Sequence, residues 1–355
     1  MRVVVTAGGT GGHIYPALSI LKKIKEEEKN SQFLYIGTHN RMEKDVVPKE
    51  GYDYVGLEIY GFSKKEIIRD IKNIFLINKA YKECLKILKK FKPDVVLGFG
   101  GYVTYPVIKA AKKLGIKTFI HEQNAMPGKS NKMLSKYADI IGVSFKESEK
   151  YFDKDKVIFT GNPCSENALT IKPNSKTKYG LSKNKKAILC VQGSLGSAVM
   201  NNKMIDFLSN IDNENYEVLY ITGKTSYEKF KEYKFSKNVF VVPYVENLSA
   251  LMKDMDVIVS RAGASIISEI VALGVPTIFI PSPYVANNHQ LYNALDLKNN
   301  NAGLMIEEKD LNKDVLKENI NKLLKDELLY HSMKVNARKM SVDNSSTIIY
   351  ETIKK

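Results

Sequence analysis

No stretch of the 355-residue chain approaches the ~20 consecutive apolar residues that cross a bilayer, so a membrane-spanning helix is excluded. The three cysteines, Cys84, Cys164 and Cys190, are too scattered for a metal knuckle or a disulfide framework, and are expected to be reduced thiols in a cytoplasmic protein. Met1-Arg2-Val3-Val4-Val5-Thr6 enters a strand directly, with no signal region expected. Acidic residues are in deficit. Against 54 Lys and Arg stand 39 Asp and Glu, a net +15 that favours an anionic partner: nucleic acid, a membrane surface or a phosphorylated substrate. The second strand ends Tyr35-Ile36-Gly37-Thr38 without the carboxylate that an NAD ribose requires, which counts against hydride chemistry.

What is present is a strand, glycine turn and helix, used repeatedly. Val3–Thr6 leads to Gly8-Gly9-Thr10-Gly11-Gly12-His13 and a helix expected from about Tyr15 to Glu28. Strands follow at 33–36, 93–97, 117–120, 139–143 and 157–160, with a second glycine turn, Gly98-Phe99-Gly100-Gly101-Tyr102, after the 93–97 strand. Residues 164–184 are polar and Lys-rich and read as a linker. The plan then restarts with strands at 187–191, 217–221, 239–242, 257–259 and 277–280. This predicts an α/β protein of two facing Rossmann-like domains, 1–163 and 164–341, with ligands at the carboxyl ends of strands and a cleft between the domains. The last helix, within 342–355, is expected to return to the first domain.

The sharpest single stretch is Asp256 to Glu269. Here a short strand turns at Arg261-Ala262-Gly263-Ala264-Ser265 into a helix whose first N–H groups attract an anion. Glu269 stands one turn on, placed to accept hydrogen bonds from a ribose diol; close helix–sheet packing is the competing account of Gly263 and Ala264. His13, at the mouth of the first glycine turn, suits a general base or a helix cap. His121-Glu122-Gln123-Asn124 is a polar cluster at a strand end, and Tyr102 either stacks on a sugar or covers the sheet edge. Asn287-Asn288-His289-Gln290 with Asn293 supplies the amides a sugar needs, or forms a polar surface loop. Asp153-Lys154-Asp155 and Asp254-Met255-Asp256 are discounted as metal motifs, and no metal or cofactor is expected.

Between Ser63 and Lys92 ten basic residues face three acidic ones, a local +7. Ile67, Ile71, Ile74, Tyr81, Leu85 and Leu88 read as the core stripe of a helix. Ile68, Phe75, Leu76 and Ile77 are left over among lysines such as Lys72, which suits a face that dips into an anionic bilayer or a second buried contact. Nucleic acid is not expected, because the aromatics form no stacking platform.

Taken together, GGTGGH (8–13), GFGGYV (98–103), HEQN (121–124), GNP (161–163), the GSxGS loop (193–197), SRAGA with SE (260–264, 268–269) and HQLYNA (289–294) resemble the MurG family of bacterial peptidoglycan glycosyltransferases, in family order along nearly the whole chain. The resemblance implies a GT-B fold and an inverting transfer of GlcNAc from UDP-GlcNAc to undecaprenyl-diphospho-MurNAc-pentapeptide, in peptidoglycan synthesis, cell shape and cell division. It also implies a peripheral position on the cytoplasmic face of the membrane, with cell-wall synthesis proteins as partners. By the same resemblance His13, then Glu122, would be the base; Gly11, Gly12, Tyr102 and Asn124 would face the acceptor. Thr10, Gly11, Gly12, Asn124, Ser194, Val245 (at the uracil), Arg261, Ala264, Ser265, Glu269 and Gln290 would hold the donor. Two positions depart: Cys164-Ser165 follows GNP where the family usually has an arginine two residues on, and Leu195 stands where many members have glutamine. Two alternatives remain, a UDP-GlcNAc 2-epimerase, which would not need the basic amphipathic segment, and a non-catalytic binder of anionic lipid or nucleic acid.

Overall fold

Val3, Val4 and Val5 are all fully buried, and this decides the architecture of the first half. Consecutive strand residues face opposite sides of a sheet, so an unbroken apolar run needs cover on both faces. Val4 packs with Ile36, Leu88 and Val107 on one side, and Val3 and Val5 pack with Ile14, Ile20 and Leu97 on the other. The computed structural model describes residues 1–61, 67–193 and 196–355, and of residues 67–71 the backbone only.

The first unit comprises Met1–Cys164 and Asn344–Lys355. Its strands are β1 (Arg2–Thr6), β2 (Gln32–Thr38), β3 (Asp53–Leu57), β4 (Val95–Gly98), β5 (Lys117–Glu122), β6 (Ile140–Val143) and β7 (Val157–Phe159). They pair in parallel in the order β3-β2-β1-β4-β5-β6-β7. The helix Gly11–Glu27 buries Ile14, Ala17, Ile20, Leu21 and Ile24 along one stripe. Against it lies the terminal helix Ser345–Lys354, where Ile349 and Ile353 are buried, each stabilising by about 1.5–3 kcal/mol. The Tyr350 hydroxyl donates to Glu28 at 2.9 Å, and Lys117 donates to the Ile353 carbonyl at 3.0 Å.

The second unit, Ser165–Asp343, repeats the plan. Its strands β8 (Lys186–Val191), β9 (Tyr216–Ile221), β10 (Val239–Val242), β11 (Val257–Ser260), β12 (Thr277–Phe279) and β13 (Leu304–Met305) pair in parallel in the order β10-β9-β8-β11-β12-β13. Strand order reverses direction beside β1 and beside β8. Each unit therefore has one switch point, β1/β4 and β8/β11, where ligands of such sheets bind.

Three expectations are corrected. Residues 164–184 are not simply linker: they hold the helix Cys164–Thr170 and a 3-10 turn, Lys176–Tyr179. The first helix begins at Gly11, not near Tyr15, so His13 belongs to its first turn. In the basic helix Ile67–Phe91 the core stripe runs through Asn73, Ala80, Cys84 and Leu88 with Ile77, Tyr81 and Leu85 packed beside them, so the expected Tyr81, Leu85 and Leu88 face the core while Ile74 is 51% exposed; the side chains of Ile67 and Ile71 lie outside the described residues. Asn73 sets that phase. Its side chain exchanges hydrogen bonds with the backbone of Tyr60, at 2.9 Å from the Tyr60 N–H and 2.6 Å to its carbonyl.

Candidate active site: two switch points

At the first switch point the two glycine turns meet. The Gly8 N–H donates to the Gly100 carbonyl at 3.2 Å. Gly100 and Gly101 have φ of +104° and +88°, and a Cβ on Gly101 would sit 2.5 Å from the Gly8 carbonyl oxygen, so neither position admits a side chain. The His13 ring lies against Gly100, where an added Cβ would come within 3.0 Å of Nε2. His13 Nδ1 is 2.9 Å from the Gly8 carbonyl oxygen. A carbonyl only accepts, so Nδ1 carries the proton and the neutral ring keeps its lone pair on Nε2. Such a ring can take a proton at Nε2 without rearranging. Thr10 is exposed at the N-cap of this helix, and the N–H groups of Gly11 and Gly12 are its first two.

Glu122 does not suit the role of second base. It is 2% exposed and its carboxylate is already saturated. Oε1 accepts from Asn124 N–H at 2.9 Å and Asn124 Nδ2 at 3.1 Å; Oε2 accepts from Gly128 N–H at 3.0 Å and Asn131 Nδ2 at 2.9 Å. It folds the 122–131 loop and sets the orientation of Asn124. His121 is fully buried, bonded through Nε2 to the Gly161 carbonyl at 2.9 Å, and burial lowers it to about 4, so it stays neutral. The Tyr102 ring packs on Gly61 at the edge of the core, with its buried hydroxyl unpartnered among the described residues.

At the second switch point Gly263 caps the helix Ala264–Leu273, and its first residues, Ala264 and Ser265, begin the turn. The Ser265 hydroxyl oxygen is buried and has no hydrogen-bond partner among the described residues. Glu269, one turn further, accepts from the Ser249 hydroxyl at 2.8 Å. Burial pushes its carboxyl up to about 7, opposed by the Ser249 hydrogen bond. Near neutrality it is thus present in both forms, and either can hydrogen-bond a diol. Val245 is buried in the loop after β10. Gln290 accepts the Ser282 N–H at 2.9 Å through its amide oxygen, leaving its amide nitrogen as a donor. Asn293, fully buried, ties its helix to the Ala262 carbonyl at 3.1 Å.

Arg261, expected to hold the donor, is not a free cation. Its guanidinium is 7% exposed and paired with Glu308 at 2.5 Å. Nη1 donates to the Ile280 carbonyl at 3.1 Å and Nη2 reaches the Ser197 hydroxyl at 3.4 Å. Ser197 in turn caps the helix Ala198–Ser209 through Met200 N–H at 3.3 Å. Arg261 therefore fastens the turn after β11 to the helix start after β8. Its partner Glu308 escaped the sequence reading because it lies 47 residues away in no motif; only the cost of an unpaired buried arginine could have called for it. Glu43, fully buried and accepting the Gly9 N–H at 3.1 Å, was missed likewise. Ser165, in the place of the family arginine, is 2% exposed and donates to the Val342 carbonyl at 2.8 Å, so it holds the chain together and does not face a ligand. Asp254 and Asp256 accept backbone N–H groups of Lys176 and Ala187 at 2.8 and 2.9 Å. Ser194, Leu195 and the side chain of Ile68 lie outside the described residues.

Comparison with known proteins places this arrangement. Residues 3–143 match the glycosyltransferase family 28 N-terminal domain and residues 187–348 its C-terminal domain. The chain is 42% identical to the UDP-N-acetylglucosamine--N-acetylmuramyl-(pentapeptide) pyrophosphoryl-undecaprenol N-acetylglucosamine transferase of Bacillus licheniformis, covering 100% of this chain and 98% of the relative. The Bacillus subtilis protein of the same name is 39% identical over 100% of this chain and 99% of its own. Among solved structures, Acinetobacter baumannii MurG superposes with a TM-score of 0.81 at 28% identity, covering 99% of both chains. The chain belongs to the MurG family. As a MurG-family protein it is a glycosyltransferase of the two-domain GT-B fold. The UDP-GlcNAc 2-epimerase of Neisseria meningitidis, solved with UDP-GlcNAc, has a TM-score of 0.69 at 18% identity and covers 99% of each chain; that likeness shows the shared fold alone, and the epimerase alternative is not favoured.

Proposed function

We propose that this protein transfers GlcNAc from UDP-GlcNAc to the 4-hydroxyl of undecaprenyl-diphospho-MurNAc-pentapeptide, with inversion. The observation that carries this reading is the 42% identity, along the whole chain, to a relative named for that transfer. The geometry supplies a matching division of labour. On the first unit, His13 Nε2 takes the proton of the acceptor hydroxyl. The freed oxygen attacks the anomeric carbon from the face opposite UDP. The bond from that carbon to the diphosphate oxygen breaks, and its electron pair stays on UDP. On the second unit, the charge growing on the diphosphate is met by the first N–H groups of the helix Ala264–Leu273 and the Ser265 hydroxyl, while Glu269 and Gln290 hold the ribose and sugar hydroxyls and Val245 covers the uracil. Arg261 supports this site from beneath, which puts more of the charge stabilisation on the N–H groups. Radiolabelled UDP-GlcNAc incubated with the muramoyl-pentapeptide diphospholipid tests the reading. Label should pass to the lipid, with or without chelator; free UDP and an epimerised sugar in place of labelled lipid would refute it.

The acceptor's lipid implies work at a membrane, and no helix among the described residues is long and apolar enough to cross one. We infer that the basic helix Ile67–Phe91 lies on the anionic cytoplasmic surface. Phe75 is 71% exposed beside exposed Ile74, and Lys72, Lys79, Lys82 and Lys86 are exposed on the same helix, with Leu76 half-buried. Replacing Ile74 and Phe75 with Ser is expected to weaken binding to anionic vesicles roughly 10-fold or more, from lost insertion of two apolar side chains. UDP affinity and folding should not change, since neither side chain belongs to the core. Unaltered vesicle binding would remove this face from the role. Association with other wall-synthesis proteins and a part in cell division belong to the same reading and are tested by co-purification from membranes, where failure to recover any such protein would count against them.

A further inference from the structure

Glu43 is a carboxylate with no exposed surface, at the start of the short helix Glu43–Lys49 that follows β2. Burying a carboxylate is costly unless donors surround it. Here Oε1 accepts the Thr38 N–H at 3.0 Å and the Thr38 hydroxyl at 2.6 Å, and Oε2 accepts the Gly9 N–H at 3.1 Å. No ion pair to Glu43 occurs among the described residues. The carboxylate lies directly beneath the first glycine turn: a Cβ on Gly8 would come within 2.6 Å of its Oε1.

The Gly8–Gly9 peptide is therefore held at both ends. Its N–H points to the Glu43 carboxylate, and its carbonyl accepts the Nδ1 proton of His13. We propose that Glu43 is a positioning residue for His13, acting through this one peptide unit. A carboxylate on the N–H polarises the peptide and makes its carbonyl a stronger acceptor. That fixes the imidazole in the tautomer with Nε2 free, and steadies the ring when Nε2 gains the acceptor's proton. The logic is that of a carboxylate behind a catalytic histidine, with a peptide group inserted between the two. The kinetic part of this inference rests on His13 being the base; the tautomer part does not.

The test uses the full chain with 15N-labelled histidine, the His13 resonances being assigned by their loss in His13→Ala. In the unaltered protein His13 should show a protonated Nδ1 and a pyridine-type Nε2; a protonated Nε2 in the neutral ring overturns the proposal with no variant needed. In Glu43→Gln, which keeps the shape and removes the charge, the two nitrogens should move towards the average of mixed tautomers. Turnover should fall roughly 10-fold or more, while the KM for UDP-GlcNAc and the Kd for UDP stay within about twofold, because the nucleotide is held on the other unit. Glu43→Asp, which draws the carboxylate back from Gly9 while keeping its charge, should give the same split. Shifted nitrogens with unchanged turnover would mean that His13 is coupled to Glu43 but is not the base. Unshifted nitrogens would end the inference, whatever the turnover.

Discussion

His13→Ala is expected to lower kcat by roughly two to four orders of magnitude, the usual worth of a positioned general base, with the KM for UDP-GlcNAc nearly unchanged. The split follows from where the ring sits. Its Nδ1 is tied to the Gly8 carbonyl at 2.9 Å and it packs on Gly100, both in the unit of β1–β7, whereas Glu269, Gln290 and the helix Ala264–Leu273 belong to the other. The ring is only half-buried, so its loss leaves a surface notch and not a core cavity. Single-turnover measurements with saturating lipid acceptor separate the chemical step from product release. Turnover like that of the unaltered protein would take His13 out of the reaction. Glu122 would not replace it, because four hydrogen bonds already fill its carboxylate.

The second large effect is on stability. Glu308→Ala should destabilise the second unit by about 3–5 kcal/mol, because it strands the Arg261 guanidinium without a counter-charge out of water. The two side chains are 7% and 6% exposed, so solvent cannot rescue the survivor. Removing both charges together, as Arg261→Met with Glu308→Leu, should recover most of the loss, since a buried pair contributes little net stability over apolar groups of similar volume. Urea unfolding followed by circular dichroism checks both. A loss under about 1 kcal/mol in Glu308→Ala would mean that water reaches the pair, against its observed burial. The double change should nevertheless weaken UDP binding, because Arg261 also holds Ser197 and with it the start of the helix Ala198–Ser209.

Much of the fold was legible because a parallel sheet writes itself as short apolar runs, and Val3–Val5, Val95–Leu97 and Val257–Val259 are unbroken and fully buried. β3 was not, since it is an edge strand: Asp53 and Gly56 are exposed and its pairing to β2 supplies what its own residues do not. β13 has two residues and no pattern to find. The helix Glu43–Lys49 is short and ends on Pro48-Lys49, which reads as a break. In the basic helix, counting apolar residues found Tyr81, Leu85 and Leu88 on the core side but misplaced Ile74, because the buried position one turn from Ile77 is the polar Asn73.

The site divided in the same way. Glycine turns at strand ends were visible, as they reflect backbone geometry that only a few residue types allow. Partnerships were invisible. The resemblance made Arg261 a ligand of the donor, and only the folded chain brings Glu308 to it. The same resemblance made Glu122 the second base, and its four donors come from residues 124, 128 and 131 once the loop has closed.

Crystals soaked with UDP test the central assignment most directly. The nucleotide should lie on the second unit, its ribose within hydrogen-bond reach of Glu269, its diphosphate at the N–H groups of Ala264 and Ser265, and its uracil by Val245. UDP bound at the glycine turn of residues 8–13 instead, with the start of the helix Ala264–Leu273 empty, would contradict the assignment of donor and acceptor to the two units.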